Sequence, residues 1–269
     1  MEVARTSSTP DALWASPSAR LLRPVAVACR GLRRRVAGEL LLDGLDLNVP
    51  VGARVLVVSE PEASASLLLR ILAGLAHVES GTIRLAGLSR ADGSSKGWAR
   101  RVGYVAPETA LYPWLSPREV FGLVARLAAY DRAETRVRCD TLIARFELAG
   151  AMDQPLSRLD PALAQLVGLA AAMLTDPEVL LLDEPLRSAE PNERRQFLKL
   201  SGRRRTVLLA SRLPAAEAGL VDQVAFIRGG KLALHARLDD LEAAGLPLSV
   251  RGIASLAEMR KTPAAASAG

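Results

Sequence analysis

Asp176-Pro177-Glu178-Val179-Leu180-Leu181-Leu182-Asp183-Glu184-Pro185 is the stretch on which the fold turns. Four apolar residues in a row, bounded by proline-containing segments on both sides, are too few for a helix and read as a strand buried on both faces. It ends on two adjacent carboxylates, Asp183 and Glu184. Outward from it, short β-branched or leucine-rich runs alternate with helical ones. Val25–Cys29, Leu45–Val49, Val55–Val58, Thr82–Leu85, Val102–Val105, Thr206–Ala210, Val224–Ile227 and Leu232–Leu234 predict strands. Ala65–Leu75, Pro117–Tyr130, Ala133–Phe146, Pro161–Leu174 and Pro191–Leu200 predict helices. A helix separates the third strand from the fourth and the sixth from the seventh, which points to crossover units of a parallel sheet. Residues 108–158 lack strand patterns and predict a helical lobe, its first helix opened by a capping box at Ser116-Pro117-Arg118-Glu119.

The composition fits a chain with a full core: 269 residues, 49% apolar and 24% charged. Residues 1–24 carry no apolar run long enough for a secretory leader and read as a loose tail; residues 242–269 read as a partly disordered extension. No apolar run approaches the roughly 18–20 residues of a membrane span. Cys29 and Cys139 are too few for a disulfide framework and suit a reducing compartment. The net charge is +6, and only four of the 35 basic residues are lysines. The triplets Arg33–Arg35 and Arg203–Arg205 lack interleaved aromatics, so they read as solvated surface and nucleic acid is not an expected partner.

Several further stretches complete a pattern: Leu69-Arg70-Ile71-Leu72-Ala73-Gly74-Leu75, Glu79-Ser80-Gly81-Thr82-Ile83, Val102-Gly103-Tyr104, Leu111-Tyr112-Pro113, and Asp176 to Pro185 itself. With them the chain resembles the nucleotide-binding subunit of ATP-binding-cassette (ABC) transporters from about Val25 to Leu241, most of all the stand-alone subunits of bacterial exporters. The resemblance implies an α/β ABC-type ATPase domain with a mainly parallel sheet, an N-terminal antiparallel β subdomain and a helical lobe. It also implies Mg-ATP as cofactor, and a membrane permease plus a second ABC ATPase subunit, identical or different, as partners. The location implied is cytoplasmic, on the inner face of the cell membrane.

The phosphate-binding elements depart from the family pattern. The family's loop is G-x-x-x-x-G-K-S/T, whose amides and lysine hold phosphates at a helix N-terminus. The matching residues are Ser59-Glu60-Pro61-Glu62-Ala63-Ser64-Ala65-Ser66-Leu67. Ser59, Glu62 and Ser64 stand in place of glycine, and Ala65 in place of lysine. Glu60 and Glu62 add carboxylates, each costing roughly 4 kcal/mol within about 4 Å of a phosphate charge at an effective dielectric near 20. Of this element only Ser66 matches, at the position the resemblance assigns to magnesium. The family's L-S-G-G-Q segment falls on Leu159-Asp160-Pro161-Ala162-Leu163, where Asp160 is a good helix cap but adds negative charge and Pro161 removes a donor. The adenine-stacking aromatic falls at Val36, the glutamine loop at Pro107, the switch histidine at Arg212, and an aspartate of the following loop at Glu190. His77 and His235, the two histidines present, read as surface or loop residues.

The surviving site is the carboxylate pair. The resemblance makes Asp183 a magnesium-organising carboxylate and Glu184 the general base that polarises water; alternatively both cap nearby amides. The expectation is a degenerate ABC-type subunit that binds a permease or a partner ATPase with ATP binding and hydrolysis weak or absent. Two other readings stay open: an active ATPase using Asp183 and Glu184 with an atypical loop, and a non-transport scaffold or regulator. For the first of these three, Tyr112, Trp114 and Leu115 are candidate exposed anchors for the permease.

Overall fold

The computed structural model describes residues 24–89, 95–108, 111–185, 191–201 and 205–261. The tail before Pro24, Glu190, Arg203, Arg204 and the Ala/Ser-rich end after Lys261 lie outside the described residues. Two sheets carry the fold. The first comprises β1 (Val25–Val36), β2 (Glu39–Pro50), β4 (Ser80–Leu85) and β5 (Leu88–Ser89), antiparallel in the order β2-β1-β4-β5. The second comprises β3 (Arg54–Glu60), β6 (Val102–Val105), β7 (Val179–Asp183), β8 (Thr206–Ala210), β9 (Gln223–Arg228) and β10 (Lys231–Arg237) in the order β10-β9-β3-β8-β7-β6. There β9, β3, β8, β7 and β6 run parallel, and β10 closes the edge antiparallel to β9.

The central strands are apolar on both faces because both faces are covered. Period-two alternation divides their side chains between two cores. Leu56, Leu180, Leu182, Val207, Leu209 and Phe226 enter one core, shared with α3 (Pro117–Leu127), α4 (Arg132–Arg145), α5 (Pro161–Met173), α6 (Pro191–Leu200) and α8 (Val250–Lys261). Val55, Val57, Val179, Leu181, Leu208 and Ile227 enter the other, shared with α1 (Ala63–Leu72), α2 (Ser95–Arg101) and the antiparallel sheet. Sandwiched between two sheets, α1 buries Leu67, Leu68, Leu69, Ile71 and Leu72, all but Arg70 of its last six residues. The β9–β10 turn meets β2 closely at Gly230, φ +76°, where a Cβ would lie 2.7 Å from the Asp43 amide nitrogen; Asp43 N–H donates to the Gly230 carbonyl at 2.9 Å.

Three sequence expectations change. The third and fourth strands are not a crossover unit, because β4 pairs with β1 in the other sheet. The segment after Leu238 holds α7 (Leu238–Ala243) and α8, and α8 buries Ile253, Leu256 and Ala257 in the main core. His235 lies in β10, half-buried, its Nε2 2.9 Å from Gln223 Oε1. Residues 111–158 hold α3, α4 and short 3-10 turns, with no strand among the described residues there. The capping box forms, with Ser116 and Glu119 each bonding the other's amide. Arg33 and Arg34 of the first basic triplet pair with Asp43 of β2 and with Glu79, which precedes β4.

Candidate functional site

The carboxyl ends of β3, β7 and β8 lie side by side, where open α/β sheets place their sites. After β3 the chain turns through Glu60–Pro61, a cis peptide, into α1. None of residues 59–67 takes a positive φ, and Glu62, at the helix boundary, is itself helical at φ −55° with no side-chain cap. Two amides of the turn are engaged within the protein. Ser64 N–H donates to the Pro61 carbonyl at 3.1 Å, and Ala65 N–H donates to Ser59 Oγ at 2.9 Å. The Ser59 hydroxyl donates in turn to the Glu62 carbonyl at 2.9 Å, and Ser64 Oγ donates to the Leu41 carbonyl at 2.8 Å.

Asp183 ends β7, 1% exposed, with both oxygens engaged. Ser66 Oγ donates to Oδ1 at 2.7 Å and the Tyr104 hydroxyl donates to Oδ2 at 2.9 Å. Burial first, then the charge and hydrogen bond of Asp183, push the Tyr104 phenol well above its ordinary range. Glu184 follows in the left-handed region, φ +44°, a conformation costing a non-glycine residue about 1–2 kcal/mol. Its amide donates to the Ala210 carbonyl at 3.0 Å, and its buried carboxylate accepts from Arg212 Nε at 2.7 Å. The same Nε lies 2.9 Å from Glu62 Oε2. The hydrogen bond and charge of Glu184, then Glu62, hold the Arg212 guanidinium yet more firmly protonated. Across the turn, Arg228 Nε reaches Glu60 Oε2 at 3.0 Å and its Nη1 reaches Glu258 Oε1 of α8 at 2.7 Å.

Thus Glu60 and Glu62 are not unopposed charges. The estimate that each repels a phosphate in full is corrected by Arg228 and Arg212, although four carboxylates at 60, 62, 183 and 184 still outnumber two guanidinium groups. Ser59, Glu60, Glu62, Glu184, Arg212 and Val250 are among the residues lining a cavity of about 140 Å³ here, below the roughly 300 Å³ at which small-molecule pockets begin. Among the described residues no group of three His, Cys, Asp or Glu side chains is placed to hold a metal. The thiols take no part: burial pushes Cys29 up to about 12 and raises Cys139 too.

On α5, Asp160 caps the helix by accepting from Ala162 N–H at 2.8 Å, with Pro161 at the first helical position. Buried Gln165 of the same helix donates to the Pro107 carbonyl at 2.6 Å, fixing the strand-to-lobe connection. Val36 is exposed at the end of β1. Tyr112 and Trp114 stand 60% and 67% exposed and stack on each other, ring centroids 4.9 Å apart. Leu115, expected as an exposed anchor with them, is half-buried and packs against the core. The sequence marks Arg212 by its position but not its partners, and no local pattern marks Arg228 or Glu258.

Residues 42–187 match the family model described as ABC transporter. The chain belongs to the ABC transporter family. Among relatives of this ABC-family chain, the aliphatic sulfonates import ATP-binding protein SsuB 1 of Mesorhizobium japonicum is 32% identical over 88% of this chain and 86% of its own length. The daunorubicin resistance ATP-binding protein DrrA3 of Streptomyces coeruleorubidus is 29% identical over 81% of this chain and 70% of its own. The fold of this ABC-family chain also matches a solved ATP-binding subunit of an ABC transporter, TM-score 0.74 at 21% identity, covering 88% of this chain and all of that one. A dimeric ATP-binding cassette bound to ADP and Pi matches with TM-score 0.69 at 18% identity, over 79% of this chain and 98% of that one. Among the described residues no helix is long and apolar enough to cross a membrane.

Proposed function

We propose that this ABC transporter subunit is a pseudo-ATPase: it docks on a membrane permease or a partner ATPase subunit at the cytoplasmic membrane face and does not itself bind or hydrolyse ATP. Residues 25–241 would form the cassette, with 108–158 as its helical lobe and 242–269 as an extension to it. One observation carries this: the turn at 59–66 spends amides on its own Ser59 hydroxyl and Pro61 carbonyl. A triphosphate there would find no lysine, two glutamates in the turn and the Ser64 and Ala65 amides already engaged, so the residues present do not fit Mg-ATP. The second phosphate-facing element, at Asp160-Pro161, is compromised in the same sense, so pairing two copies of this chain supplies no intact composite site.

Asp183 and Ser66 lie together where the family organises magnesium, and this favours the second reading, an active ATPase with Glu184 as base. Phosphate release by the purified chain separates the two. The expected result is that wild type and Glu184→Gln give the same background rate with magnesium and ATP. Magnesium-dependent release abolished in Glu184→Gln would establish the active enzyme instead.

The stacked pair Tyr112–Trp114 is the proposed permease anchor. Its loop is preorganised: Ser157 N–H donates to the Pro113 carbonyl at 2.8 Å and Leu156 N–H to the Leu115 carbonyl at 2.9 Å. Rigid exposed aromatics suit an interface because little side-chain freedom is lost on docking. Trp114→Ala is expected to reduce co-purification with the permease about tenfold or more at an unchanged unfolding temperature. Equal co-purification would remove Trp114 as an anchor.

A further inference from the structure

We infer that Arg212 and Arg228 form a built-in clamp that holds the 59–66 turn shut and ties it to the neighbouring strand ends without any ligand. The inference rests on the proposed loss of nucleotide binding and adds the device that keeps the turn ordered in its absence. In a phosphate-binding turn the positive groups sit in the loop and the negative charge arrives with the ligand. Here the polarity is inverted. The turn carries Glu60 and Glu62, and the cations stand on the flanks, Arg212 after β8 and Arg228 at the end of β9.

Each arginine joins two carboxylates from separate parts of the chain. Arg212 bridges Glu62, at the start of α1, to Glu184, after β7, at 2.9 and 2.7 Å. Arg228 bridges Glu60 to Glu258 of α8 at 3.0 and 2.7 Å, and α8 also places Val250 in the cavity wall. The two bridges differ in strength. Glu184 is buried, so removing its partner strands a charge away from water. Glu62 and Arg212 are about half exposed, and their pair alone counts for little. An entering phosphate would have to take Arg212 from Glu184 and face that carboxylate, so the clamp resists anions while it orders the turn.

Hydrogen exchange of the full chain, read by mass spectrometry, tests this. Arg212→Gln is expected to speed exchange in peptides covering 211–213 by about tenfold or more and in those covering 59–66 about two- to fivefold, leaving β9 unchanged. Because that variant strands a buried carboxylate and could unfold, Glu62→Gln is the second arm, with exchange in 59–66 expected to rise about two- to fivefold. Arg228→Gln is expected to loosen 59–61 and α8 together. Exchange of 59–66 unchanged in Glu62→Gln, or in a folded Arg212→Gln, overturns the clamp. A wild-type arm with Mg-ATP keeps the two ideas apart: slower exchange there contradicts the loss of nucleotide binding, while the variant arms still decide the clamp.

Discussion

Asp183→Ala is expected to lower the unfolding free energy by about 2–4 kcal/mol, seen as a lower urea midpoint at unchanged slope. The carboxylate is 1% exposed and accepts from Ser66 of α1 and Tyr104 of the neighbouring strand β6, so it ties the helix to the sheet. Hydrogen bonds to a charged acceptor contribute about 1.5–3 kcal/mol each, partly offset by relief of burying the charge. Truncation also leaves the Ser66 and Tyr104 hydroxyls without this acceptor. A change under about 0.5 kcal/mol would mean that Asp183 has no structural role. The same contact gives a pH signature. The Tyr104 phenol is raised by burial, then by the Asp183 charge, then by their hydrogen bond. Since the folded state favours the protonated phenol, its contribution is complete below the unfolded value near pH 10 and is lost as pH rises above it. Asp183→Asn removes the charge, so the alkaline loss should be smaller in that variant.

Millimolar Mg-ATP is expected to leave the unfolding temperature unchanged, within about 1 °C. A protein at a hundred times its dissociation constant gains about 2.7 kcal/mol from its ligand. At about 2–4 °C per kcal/mol for a chain of this size, a working nucleotide site would raise the transition by about 5–10 °C. The large contrast arises because amides of the turn already have partners and the nearest cations are held by Glu60, Glu62 and Glu184. A shift above about 3 °C that disappears on chelating magnesium would contradict this.

The sheet was legible because its central strands leave no ambiguity: Val179–Asp183 and Thr206–Ala210 are buried at every position. The error at β4 has a readable cause. Thr82-Ile83-Arg84-Leu85 alternates polar and apolar residues, the mark of an antiparallel strand with one wet face, yet the preceding helix suggested a parallel crossover. In α8, Ile253, Leu256 and Ala257 follow helical spacing, but a weak overall pattern hid them. At the site, missing glycines and the missing lysine are plain in the sequence. The charge balance is not, since Arg228 meets Glu60 across 168 positions and no local rule pairs them. Leu115 shares a loop with two exposed aromatics and turns inward, which only packing decides.

The central claim is that this cassette takes no nucleotide at the 59–66 turn. Equilibrium titration of the purified full chain with a fluorescent ATP analogue, with and without magnesium, tests it most directly. A flat anisotropy trace through the millimolar range in both conditions is the predicted result. Saturable, magnesium-dependent binding that unlabelled ATP displaces would contradict it.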